Sequence, residues 1–111
     1  MVDAAIVAGV RSYLRELALR GVPAAFGVVF GSYAAGRADK WSDIDLLVVS
    51  PLFDGDFPHD RVSLLWRVAA RTDNRIEPIP CGEKQWAEDQ RIPIIEIARR
   101  EGVRIDLDET A

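Results

Sequence analysis

Histidine and cysteine are nearly missing from this 111-residue chain, which has one of each, His59 and Cys81. A lone cysteine excludes an internal disulfide framework and a cysteine-rich zinc site. A lone histidine excludes the imidazole constellations that hold transition metals. Any resident metal must then be held by oxygen, which selects magnesium, manganese or calcium. Long apolar runs are lacking too, since no stretch reaches the roughly 18–20 residues that cross a bilayer. The opening MVDAAIVAGVRSY has an acid at Asp3 and no basic segment before an apolar core, so it does not read as a signal peptide. Positive charge is in deficit: the formal net charge is -4, the wrong sign for gripping nucleic acid by its phosphates. With 49% hydrophobic and 29% charged residues, residues 1–111 are expected to form one soluble, cytoplasmic domain, associated with neither membrane nor nucleic acid.

What the chain does contain is alternation. Ile6, Val10, Leu14 and Leu17 recur at helical spacing over residues 3–20, and Gly21 follows as a stop. The β-branched run AAFGVVF (24–30) predicts a strand, SYAAGR a short helix with Ser32 as its N-cap. DIDLLVVS (43–50) predicts a second strand, stopped by Pro51. From Pro58, suited to a first helical turn, HDRVSLLWRVAAR places Val62, Leu65, Trp66 and Ala69 on one face, Trp66 reading as core. RIEPIPC (75–81) predicts a third strand that Pro78 and Pro80 keep short or at an edge. A helical turn over 83–89, a helix from Pro93 to Gly102 and a last strand in VRIDL complete an α/β pattern, a small sheet covered by helices.

The chemistry concentrates at the second strand. Alternation puts Asp43 and Asp45 on one face, about 6.5–7 Å apart along the backbone. Ile44, Leu46 and Val48 fill the other face, so the strand is central and covered. Two close carboxylates repel, and a divalent cation offsets that repulsion. Gly31 lets backbone approach a ligand closely, and a helix beginning at Ser32 would offer free N–H groups to phosphate. Carboxylates holding paired cations about 3.5–4 Å apart are a common device for displacement at phosphorus. A third acid is expected on a neighbouring strand, and Glu77 in RIEPI is the candidate; it could complete a metal site or accept a proton from an attacking hydroxyl.

Gly31-Ser32, ten intervening residues and then Asp43-Ile44-Asp45 resemble the signature of the polymerase-β-like nucleotidyltransferase superfamily. Within it the chain is most similar to the minimal nucleotidyltransferases, small stand-alone prokaryotic domains. The likeness includes the leading helix, FGSYAAG, SDIDLLVV, RIEPIP and IIEIARREGVRI. It implies an α/β (α+β) fold with a small mixed sheet, and transfer of a nucleoside monophosphate from ATP or another triphosphate to a hydroxyl, with two Mg²⁺ ions. By that pattern Gly31 and Ser32 hold the triphosphate, while Asp43, Asp45 and Glu77 are the catalytic, metal-binding acids. Many minimal members carry Gly-Ser-x-Ala-Arg-Gly; here Ala35 replaces the arginine, Arg37 is the nearest substitute for binding the nucleotide, and Glu77 is followed by Pro78.

The resemblance further implies an antitoxin that modifies a tyrosine of a helical HEPN ribonuclease partner with AMP, in a homo- or hetero-oligomer. The chain's size favours a protein-sized acceptor. One alternative is transfer to an aminoglycoside hydroxyl; another is an inactive module that only masks its partner, favoured by Ala35 and Pro78. Lys40, like Arg37, reads first as a solubilising loop residue, with contact to the triphosphate as the alternative, and Trp41 as core or rim packing, with flanking a base as the alternative. His59 reads as a surface residue and Cys81 as a small hydrophobe. Trp86 is either core or part of a partner-binding patch.

Overall fold

A computed structural model describes residues 2–39 and 42–107. The expected alternation is present: helix α1 (Ala4–Leu19), strands β1 (Phe26–Phe30) and β2 (Ile44–Val49), helix α2 (His59–Thr72), strand β3 (Ile76–Cys81), helices α3 (Glu83–Glu88) and α4 (Pro93–Glu101), and strand β4 (Val103–Ile105). A 3-10 turn at Pro51–Phe53 marks the stop after β2. The sheet order is β3-β2-β1-β4, with β2 and β3 parallel and the other pairs antiparallel. The fold is thus a mixed α/β sheet with helices, as expected. The parallel pair follows from α2, which supplies the crossover that two parallel neighbours require.

Both faces of the sheet are covered. On one, Leu46 and Val48 of β2 and Val29 of β1 pack against Ile6, Val10, Leu14 and Leu17 of α1 and Leu65, Val68 and Ala69 of α2. On the other, Leu47 and Val49 join Phe26, Val28, Phe30 and Cys81 under Ile95 and Ala98 of α4. The N-terminus of α1 is capped by Asp3, whose carboxylate accepts from Ala5 N at 2.8 Å. Buried Tyr13 locks α1 to α2, its hydroxyl donating to the Leu65 carbonyl at 2.8 Å. Central β2 carries no proline, whereas β3, with Pro78 and Pro80, lies at the sheet edge.

Two expectations need correction here. Trp66 is not core: it is 48% exposed, and the buried residues of α2 are Leu65, Val68 and Ala69. Trp66 lies about 100° around the helix from Leu65, so the apolar stripe turns past it and takes Val68 instead. Pro58 stands at the N-cap of α2 rather than in its first turn. Trp86, left open between core and surface, is half-buried, edge-on to Phe26 with ring centres 5.8 Å apart and with the Arg99 guanidinium 5.5 Å from its centre.

Candidate active site

The parallel register of β2 and β3 brings the acids together. Asp45 stands directly opposite Glu77, at the strand spacing of about 4.8 Å. Asp43 lies just ahead of β2, two residues from Asp45 and so on the same side. Asp43 is exposed, whereas Asp45 and Glu77 are half-buried. The Asp45 carboxyl is pushed above its ordinary range, first by burial and then by the charge of Asp43, with a hydrogen bond from Glu77 opposing. The Glu77 carboxyl is also raised, by burial, by the charges of Asp43 and Asp45, and by hydrogen bonds to both. Both shifts have the same origin, carboxylates crowded together and partly withdrawn from water.

On the other side of Asp45 lies its β1 partner Phe30, followed by Gly31. Gly31 has φ 73°, and a Cβ there would overlap the Asp45 carboxylate, standing 3.2 Å from its Cγ. Glycine is therefore required twice, for the left-handed backbone and for the space the acid occupies. The sequence places Gly31 at a ligand; the nearest group that requires it is the Asp45 carboxylate.

The predicted helix at Ser32 is absent. Residues 31–36 form a turn, in which Ala35 N donates to Gly31 O at 3.0 Å and Arg37 N to Ser32 O at 2.9 Å. The segment is too short to repay helix nucleation, and Gly36, at φ 73°, reverses the chain. Ser32 therefore caps no helix, so the helix-end argument for phosphate binding does not hold; what remains is a tight turn beside the acids. Arg37 is exposed at the end of this turn. Lys40 and Trp41 lie outside the described residues. His59, exposed at the start of α2, is remote in sequence from every site strand, and Cys81 is buried in the core under α4.

The acids fit a hard, oxygen-preferring cation. Among the described residues no group of three or more acidic, histidine or cysteine side chains is placed to hold a metal ion. Magnesium is usually held by only one or two carboxylates, with substrate phosphate and water completing its shell. Two residues missed from the sequence also border the site. Arg75 N closes an Asx turn on Asp73 at 3.0 Å, and the Arg75 carbonyl accepts from Ile44 N at 2.8 Å, between Asp43 and Asp45. The Asp-Asn-Arg run after α2 was the available signal, since an aspartate commonly accepts from the backbone two residues on.

The family model described as "Nucleotidyltransferase domain" matches residues 9–110. No curated protein matches the chain. Among solved structures, a candidate nucleotidyltransferase from Sulfolobus solfataricus superposes with a TM-score of 0.61. It shares 22% identity, with the alignment covering 88% of this chain and 77% of that one. At that identity the likeness concerns the fold. Among the described residues no helix is long and apolar enough to cross a membrane.

Proposed function

Because the chain belongs to the nucleotidyltransferase domain family, we propose that it transfers AMP from ATP to a hydroxyl, using Asp43, Asp45 and Glu77 to hold Mg²⁺. The observation that carries this reading is the acid cluster itself: Asp45 in register with Glu77, and Gly31 pressed against Asp45. Bound Mg²⁺ would supply charge neutralisation at the triphosphate oxygens. Asp43 and Asp45 are the principal cation ligands. Glu77, with its raised proton affinity, suits a group that completes the metal site or takes the proton from the attacking hydroxyl. That hydroxyl oxygen bonds to the α-phosphorus, the bond to the bridging oxygen breaks, and pyrophosphate leaves. The turn at Gly31-Ser32, with Arg37 at its end, receives the triphosphate.

For the acceptor we favour a tyrosine of a helical HEPN ribonuclease, with the chain acting as its antitoxin in the cytoplasm. Likeness to the minimal nucleotidyltransferases supports this choice, and so do exposed apolar side chains suited to protein contact, Trp66, Ile92 and Ile97. The test is incubation with ATP labelled at the α-phosphate, Mg²⁺ and the helical partner. Label should enter the partner, and Asp43→Ala should abolish it. Label on an aminoglycoside without any protein acceptor would redirect the reading to small-molecule modification. Inhibition of the partner without transfer would make the chain a masking module.

A further inference from the structure

Tyr33 and Arg75 hold a bonding pattern that the reaction as described leaves unused. The Tyr33 ring packs on the core formed with α1 and α2, on the sheet face opposite to the one Asp45 shares with Leu47 and Val49. Its hydroxyl donates to the Asp39 carbonyl at 3.3 Å and accepts from Arg75 Nη1 at 3.3 Å. One oxygen thus ties the start of the 33–39 segment to its end and to the loop before β3. Arg75 is itself fixed by a two-pronged pair with Asp73, Nε to Oδ1 at 3.0 Å and Nη2 to Oδ2 at 2.7 Å. Meanwhile its carbonyl holds Ile44 N, in the strand that carries the acids. A single residue therefore grips both arms of the site, the turn through its guanidinium and the acid strand through its backbone.

We propose that the Tyr33 hydroxyl and Arg75 act as a positioning brace, holding the Gly31–Arg37 turn at a fixed distance from Asp43 and Asp45 and so setting affinity for the metal–nucleotide. Arg75 is not itself the phosphate ligand, because its guanidinium is engaged by Asp73 and Tyr33. The inference rests on the nucleotide reading above. Loss of a bond of this kind corresponds to roughly a three- to ten-fold change in an equilibrium.

The test uses Tyr33→Phe, which keeps the ring and its packing, alongside Arg75→Gln and the double variant. Amide hydrogen exchange over residues 32–39 is measured together with calorimetric affinity for Mg-ATP and steady-state transfer. Each single variant should exchange faster in 32–39 than wild type, with β1 and β2 unchanged. Each should bind Mg-ATP roughly three- to ten-fold more weakly, while kcat at saturation stays within about two-fold. The double variant should be no weaker than the worse single, since both changes open one linkage. Unchanged exchange in the turn overturns the brace, whatever happens to nucleotide. Faster exchange with unaltered affinity overturns its role in binding. A wild-type protein that does not bind Mg-ATP, with the exchange effect intact, identifies the nucleotide reading as the failure and removes the brace's function with it.

Discussion

Replacing Gly31 by alanine separates backbone strain from damage to the acid cluster, because Gly36 provides a matched control. Both glycines have φ 73°. An L residue in that region costs about 1–2 kcal/mol. At Gly36 an added Cβ meets nothing within 4 Å, so Gly36→Ala should lose about that amount and no more. At Gly31 the Cβ overlaps the Asp45 carboxylate. The acid must leave its rotamer, at roughly a further 0.5–1.5 kcal/mol. At about 4 °C per kcal/mol, melting should fall by about 4–8 °C for Gly36→Ala and about 6–14 °C for Gly31→Ala. Activity should divide them more sharply. A catalytic carboxylate displaced by about 1 Å costs on the order of 100-fold, so Gly31→Ala should lose that much kcat/KM while Gly36→Ala stays within about ten-fold of wild type. Calorimetry and a pyrophosphate-release assay on both proteins decide the matter. Equal activity losses, or a fully active Gly31→Ala protein, would refute the claim that the glycine exists to seat Asp45.

The raised proton affinities of Asp45 and Glu77 mean that the fold holds protons the unfolded chain releases. Stability without metal should therefore fall as pH rises from the ordinary carboxylate range, about 4, through the raised folded values. Glu77→Gln should melt higher than wild type at pH 7 but not at pH 4, and added Mg²⁺ should narrow the gap; a gap independent of pH and metal would count against the cluster. The comparison between these two proteins cancels Asp73, whose carboxyl Arg75 holds below its usual range. The Cys81 thiol, which burial pushes up to about 12, should react with iodoacetamide at pH 8 at least about 100-fold more slowly in the native protein than in urea; rapid native labelling would contradict its packing under α4.

Most of the architecture was legible because local signals and global needs coincide in this chain. Proline in RIEPIPC called for a strand either short or at an edge, the unbroken IDLLVV for a central one; β3 is at the edge at full length, and β2 is central. The acids were legible for the same reason: alternation alone places Asp43 beside Asp45, and a parallel neighbour brings Glu77 opposite. Three features were not legible. The turn after Gly31 could be mistaken for a helix because Ser-Tyr-Ala-Ala suits a first turn, and only the reversal at Gly36 ends it. Trp66 satisfied the helical period yet lies at the margin of a buried stripe whose orientation is set by α1 and β3. The Tyr33–Arg75 bond joins residues 42 positions apart, a pairing that no local pattern encodes.

The decisive property is whether these acids hold divalent cations together with a nucleotide. Mn²⁺, which paramagnetic resonance reports and which shares magnesium's preference for oxygen, can be titrated into the protein with a non-hydrolysable ATP analogue. Two saturable ions per chain are expected, reduced in both Asp45→Asn and Glu77→Gln. Mn²⁺ uptake that matches the nucleotide alone, and that neither substitution alters, would contradict it.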